Sequence, residues 1–282
     1  MVRQSAVSGY FYPSREQELR MMLEAMVTEE MKSVVQGKLK GAKSINGVVS
    51  PHAGYMYSGK VAAYSFYALS LFPPVETIII IGPNHRGIGS KVALAGEGFW
   101  QTPLGLVGVD KEAIEFLAGY TPVFQIDSGA HRLEHSLEVQ LPFLQYFLPY
   151  DFRIVPLALI KQDHATAKAI AETLLALSKH RKFFIVASSD FSHYERAKVA
   201  MEKDSALVAR IISLDVEGFY REISMRNISV CGPGGIATLM EYQRGASGDR
   251  GSLLCYAHSG EVTGDFDQVV GYAAIIFPNS SR

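Results

Sequence analysis

The stretch Thr77–Gly87, TIIIIGPNHRG, narrows the choice of fold more than any other part of the chain. Ile78 to Ile81 are consecutive β-branched residues, and Gly82-Pro83 stops the run. A short β-branched run between turn signals reads as a strand buried on both faces, as in a parallel sheet covered by helices. A buried helix segment is the competing reading, but β-branching and the Gly-Pro stop argue against it. A bilayer span needs about 20 apolar residues, so the run does not cross a membrane. Asn84, His85 and Arg86 follow directly. In open α/β sheets, ligands bind at the carboxyl ends of the strands, which is where these polar groups fall.

The same arrangement recurs along the chain. Ile45–Ser50 reads as a strand ending at Pro51-His52-Ala53-Gly54-Tyr55, and Lys60–Leu71 as a helix leading to the isoleucine strand. Ile45–Ile81 is then one β-α-β unit. A right-handed crossover makes its two strands neighbours or near-neighbours, with His52 and His85 at one sheet edge. Lys182–Ser188 is a further buried strand ending in Ser189, Asp190, Ser192, His193 and Tyr194. Cys231 stands before Gly232-Pro233-Gly234-Gly235 and the helix Ile236–Gln243.

Other segments fill in the architecture. Ser14 is expected to cap a helix carrying Leu19, Met22, Leu23 and Met26, with Glu16 and Glu18 in its first turn. Lys32–Lys43 is polar and basic and reads as a loop. Val92–Gly98 and Phe99–Leu106 read as strands of a hairpin or meander, and Lys111–Ala118 as a helix. Phe152–Ala158 reads as a strand, Gln162–Ser178 and Ala197–Ile212 as helices, and Leu253–His258 and Val269–Phe277 as final strands. No repeat or linker breaks the pattern. The expectation is an α/β fold: one three-layer domain over residues 1–282 with a mostly parallel or mixed central sheet.

Composition excludes several classes. Hydrophobic residues make up 48% and charged residues 20% of 282, as in a globular protein, and the net charge of −1 gives no reason to expect nucleic acid or a membrane surface as partner. The N-terminus lacks the apolar core of a signal peptide. The chain has 2 cysteines, Cys231 and Cys255, and a core this large needs no disulfide framework. A reducing, cytoplasmic setting is expected.

The reactive side chains collect at strand ends. Cys231 precedes a helix N-terminus, where the dipole is expected to favour thiolate. Cys255 lies within an apolar strand and reads as an inert small residue. Two imidazoles and a thiolate, from His52, His85 and Cys231, suit zinc, iron or copper better than magnesium or calcium. Asp190 and His193 would then be supporting or acid–base groups. His131-Arg132-Leu133-Glu134-His135 matches the H-x-x-E-H zinc pattern, but a match at three fixed positions carries little, and the stretch reads first as an exposed polar helix start before Leu137, Leu141 and Leu144, with Pro142 bending or ending the helix soon after. Tyr10, Phe11, Tyr12, Tyr55 and Tyr57 either wall a pocket or simply pack.

These motifs together resemble the Memo family. The blocks are AVSGYFYP near the N-terminus, PHAGYMYSG (51–59), GPNHRG (82–87), TPLG (102–105), EHSLEVQLPFLQ (134–145), SSDFSHY (188–194), CGPGGI (231–236) and VVGYAA (269–274). They are collinear and cover the chain from Arg3 to about Phe277. The resemblance extends to microbial members called component B of an AmmeMemoRadiSam system. It implies a fold similar to class III extradiol ring-cleavage dioxygenases, which are non-haem iron(II) enzymes with two histidines and a glutamate as ligands. Carried over by motif, His52 and His85 occupy the histidine positions and Cys231 the third. His193 matches the acid–base histidine with Asp190 beside it, and His135 lines the pocket. The thiolate departs from the 2-His-1-carboxylate arrangement and moves the preference towards copper or zinc. Fold alone does not carry ring cleavage over. Three readings follow: an iron(II)- or copper-dependent redox enzyme; a module whose cleft holds a peptide or a protein, with a radical-SAM protein as the microbial partner the resemblance suggests; and a metal-free hydrolase with Cys231 as nucleophile and His193 or His85 as base.

Overall fold

In the computed structural model, which describes residues 1–96 and 98–280, the isoleucine run is the centre of the sheet. The strands are β1 (Val2–Arg3), β2 (Ser44–Ser50), β3 (Thr77–Pro83), β4 (Val92–Leu94), β5 (Phe99–Thr102), β6 (Gly105–Val109), β7 (Gln125–Ile126), β8 (Arg153–Leu159), β9 (Phe183–Ser188), β10 (His193–Glu195), β11 (Ser252–His258) and β12 (Val269–Asn279). The helices are α1 (Glu16–Ala25), α2 (Glu29–Lys38), α3 (Tyr55–Ser70), α4 (Lys111–Tyr120), α5 (Leu141–Phe147), α6 (His164–Leu177), α7 (Ala197–Ser213), α8 (Val216–Arg226), α9 (Pro233–Gly245) and α10 (Gly260–Thr263).

The main path of the sheet runs β1-β5-β6-β8-β3-β9-β2-β12-β10, with β11 on β12 and β4 on β8. Its middle, β8-β3-β9-β2, is parallel throughout. Ile79 of β3 lies between Val155 of β8 and Ile185 of β9, and all three are fully buried. Burying an isoleucine side chain contributes about 1.5–3 kcal/mol, so Ile78–Ile81 anchor the core. Helices α1, α2, α3 and α5 pack into one group, and α4, α6, α7, α8 and α9 into another. Both groups pack on the sheet, α3 against β2 and β12 and α9 against β2, β3 and β9, which gives three layers.

The register explains the site. Ser50 of β2 pairs with Ser188 of β9, and Pro83 of β3 with Leu159 of β8, so these parallel strands end at one edge. β9 lies between β2 and β3, and the two strands of the β-α-β unit are near-neighbours.

Several expectations are corrected. Lys32–Lys43 is a loop only from residue 39, because Lys32 to Lys38 belong to α2. Thr28 caps that helix by accepting from Met31 N, and Met31 and Val35 are buried one turn apart. Helix α1 is preceded by Arg15, which gives no side-chain cap, so Ser14 does not play that role. Helix α3 starts at Tyr55 and α9 at Pro233, both earlier than their apolar periodicity suggested. The hairpin is β5 with β6, turning through Pro103-Leu104, while β4 pairs with β8 instead. Of the expected strand Val92–Gly98 only Val92–Leu94 is extended in pairing, and Glu97 lies outside the described residues.

The segment Ser128–Tyr146 differs most from its sequence reading. It forms two 3-10 turns, Ser128–His131 and Glu138–Gln140, before α5. Pro142 sits in the first turn of α5 and starts that helix, where its missing N–H costs nothing. Glu134 lies between the turns and Glu138 and Gln140 in the second, all fully buried. Glu138 holds the N-terminal segment in place, accepting from Arg3 Nη1 (2.7 Å), Ala6 N (2.7 Å), Val7 N (3.1 Å) and Tyr12 OH (2.7 Å). That brings the Phe11 ring to 4.8 Å from His135.

Candidate metal centre

His52 follows β2 and is buried. Its backbone N–H donates to Asp190 Oδ1 at 2.8 Å, and its Nδ1 lies 2.8 Å from Ser188 Oγ. Its Nε2 is 3.2 Å from Cys231 Sγ. Burial holds the ring's pKa well below the usual histidine value, and the neighbouring His135, His85 and His193 push it the same way.

His85 follows β3 and faces Glu134. The Glu134 carboxylate accepts from His85 N at 2.6 Å and from His85 Nδ1 at 2.9 Å. A carboxylate accepts, so Nδ1 carries a proton, and in the neutral ring Nε2 is the bare nitrogen. Glu134 also accepts from the backbone N–H groups of His135 and Ser136, both at 2.8 Å. Burial raises its pKa, but the His85 hydrogen bond and charge and the Ser136 N–H outweigh that and leave it at about 2. This carboxylate–imidazole pair is the usual support behind a metal-binding histidine. His135 stacks on His85 with ring centroids 4.6 Å apart, and burial lowers its pKa to about 4.

Cys231 reaches the same edge from the loop before α9. Its N–H donates to Asp190 O at 3.3 Å, while Asp190 N points at its sulfur at 3.2 Å. Gln162 fixes this loop, donating to Cys231 O at 2.9 Å and accepting from Gly234 N at 3.1 Å. A Cβ on Gly232 would lie 2.5 Å from Ser188 O, so the turn needs glycine. The thiolate expected from the helix dipole is corrected: burial, reinforced by the Asp190 charge, pushes the thiol pKa up. A bound cation would reverse that, because a coordinating thiol is deprotonated.

The ligand atoms of His52, His85 and Cys231 all lie within 4.8 Å of one another. Two imidazoles and a soft sulfur, one imidazole already turned outward by a carboxylate, fit a transition metal. His85, Glu134 and His135 form a second close group, but there the carboxylate is engaged by backbone donors.

His193 is partly exposed in β10 and belongs to this neighbourhood, since its charge acts on both His52 and Asp190. Its Nδ1 lies 2.8 Å from Ser229 O, and a carbonyl only accepts, so Nε2 is its basic nitrogen. Asp190 is buried and its pKa is raised to about 6 by burial, against the lowering effect of the His52 and Ala53 N–H groups. The structure ties that carboxylate to the His52 backbone, which makes it an anchor of the loop after β2. Cys231 pairs with His52, neither His193 nor His85.

His131 is not part of the centre. It is buried at the end of a 3-10 turn and lies at a cavity of about 510 Å³ walled by the N-terminal segment, Trp100 and Leu133. Its Nε2 bonds Ala93 O at 3.1 Å, and no helix presents it beside His135. Of the aromatics, Tyr12 and Tyr55 are core, whereas Tyr10 and Tyr57 are exposed. Sequence reasoning missed Glu134 as the His85 anchor, and Ser188, Gln140 and Gln162. One signal was present for Gln140: together with Glu138 it interrupts the apolar run from Leu137 to Leu144, which the fold buries completely.

The fold and this donor set define a class, an α/β protein with a histidine–histidine–cysteine cluster at its strand ends. The sequence profile of Memo-like proteins matches residues 3–276, and the chain belongs to the Memo family. A MEMO1 family protein of Methanosarcina barkeri is 44% identical over 278 residues, covering 98% of this chain and 99% of that one. One from Nitrosopumilus maritimus is 41% identical over 277 residues, covering 98% and 100%. An uncharacterized protein of Escherichia coli K12 shares the fold at a TM-score of 0.51 and 13% identity, covering 81% of this chain and 99% of its own. Among the described residues no helix is long and apolar enough to cross a membrane.

Proposed function

We propose that this protein is a metal-dependent redox protein of the reducing cytoplasm, holding iron or copper through His52, His85 and Cys231. The observation that carries the reading is the convergence of the three ligand atoms within 4.8 Å, with His85 backed by Glu134. When bound, such a metal supplies one-electron chemistry. The chain's own residues do the rest. His193, with Nδ1 tied to a carbonyl, has its Nε2 free to take or return a proton. His135 stacks on His85, Phe11 packs on His135, and the two wall that side. Zinc fits the same donors and would make the site structural or hydrolytic.

Metal analysis of protein purified without oxygen or chelator tests this, beside His85→Ala and Cys231→Ser. Near one equivalent of iron or copper in the wild type, lost in both variants, supports the reading. Wild-type protein that refuses iron(II), copper(I) and zinc on reconstitution sinks it. A second reading is supported by the exposed Tyr10, Tyr57 and Tyr194: the cleft holds a peptide or a protein partner, such as a radical-SAM protein. Binding that is indifferent to every cleft substitution would end that reading.

A further inference from the structure

We propose that Gln140 and Ser188 are positioning residues that lock His52 in the tautomer with its proton on Nδ1 and a bare Nε2 facing Cys231. The argument needs only carbonyl oxygens, which accept and never donate. Gln140 Nε2 lies 3.0 Å from Pro51 O. The amide therefore presents its NH₂ end there, since the flipped amide would set two acceptors against each other. The same NH₂ lies 2.8 Å from Ser188 Oγ and donates to it. Ser188 Oγ lies 2.6 Å from Ser136 O, and its one proton goes to that carbonyl. The hydroxyl has no proton left. Its contact with His52 Nδ1, at 2.8 Å, is then an Nδ1–H donating to oxygen. Neutral imidazole carries one proton, so Nε2 is a lone pair, 3.2 Å from Cys231 Sγ.

The arrangement is sealed. Ser188, Gln140 and Ser136 are fully buried and His52 nearly so, which keeps these groups away from bulk solvent. Gln140 Oε1 is buried and accepts no hydrogen bond among the described residues. Leaving an amide oxygen bare costs free energy, typically about 1–3 kcal/mol, and that cost is tolerated to keep the NH₂ on Pro51 and Ser188. His85 is set by a charge and His52 by a neutral relay of an amide and a hydroxyl.

The inference rests on the metal reading only for its second arm. In the first arm, metal-free protein labelled with ¹⁵N in histidine is examined by long-range proton–nitrogen correlation, and His52 is assigned by the signals missing in His52→Gln. A protonated Nδ1 and bare Nε2 are expected. A protonated Nε2 overturns the lock, and this reading needs no variant of the relay to fold. In the second arm, Ser188→Ala is expected to mix in the other tautomer and weaken cobalt(II) binding about 10- to 100-fold, with Ser188→Thr restoring both. Gln140→Leu should move both readouts the same way by less. Ser188→Ala with an unchanged His52 tautomer overturns the proposal. If the wild type binds no cobalt(II), the metal reading suffers, and the first arm still decides the lock.

Discussion

His52 and His85 leave two parallel strands at one edge of one sheet, yet their rings are held by opposite means. The His85 side is charged: one buried carboxylate, Glu134, gathers four N–H donors from His85, His135 and Ser136. The His52 side is neutral, with a hydroxyl and an amide passing hydrogen bonds between two carbonyls. Hydrogen bonds to a charged group are roughly twice as strong as neutral ones, and a buried donor without its acceptor is costly. The charged side should therefore dominate stability, and the neutral side should act mainly on ring orientation.

Removing the charge is the harshest test. Glu134→Ala strands buried donors and should lower the unfolding free energy by about 3–5 kcal/mol, read from urea melts of metal-free protein. A loss below about 1 kcal/mol would break the contrast at its root.

Acid probes the loop that carries Glu134. His131, on that loop, has a folded pKa of about 4 against an ordinary 6.5, because burial disfavours its charged form. The unfolded chain takes its proton first, so this stability is complete above pH 6.5 and is lost as pH falls towards 4. The difference amounts to about 3 kcal/mol. His131→Phe should flatten the decline of stability between pH 7 and 4, leaving the share due to the other buried histidines, His52 and His135. An unchanged slope would show that His131 does not titrate with unfolding.

The neutral side should respond more weakly. Ser188→Ala is expected to cost about 1–2 kcal/mol in the same melts while its effect on metal affinity stays clear. A cost equal to that of Glu134→Ala would erase the distinction between the two anchors.

The smallest change should be stabilising. Tyr194 sits in the bulge where β10 meets β12, at φ 57°, and is 76% exposed. A tyrosine in the left-handed region costs about 1 kcal/mol or more, part of which glycine recovers. Tyr194→Gly should raise the unfolding free energy by up to about 1 kcal/mol and leave the metal content unchanged, as measured by melts and metal analysis. A fall in metal content would give the Tyr194 ring a part in the His52 flank of the cleft.

What the sequence determined by itself was the frame. β-branched runs ended by Gly, Pro or polar residues are local signals, and Ile78–Ile81 and Phe183–Ser188 became central strands as their composition required. Because ligand groups follow parallel strands, His52 and His85 could be expected at one edge; Cys231 stood out by its place before a glycine-rich helix start, and the collinear motifs pointed to the family. Only the tertiary structure decided what stands behind each group. Glu134 meets His85, and Ser188 and Gln140 meet His52, through contacts between segments distant in the chain, where no periodicity reports them. The same holds for Glu138 and the N-terminal segment, and for the 3-10 turns that replaced an expected helix. Buried polar residues choose their partners from what the packed fold leaves within reach, and in water each of them would have been satisfied alone.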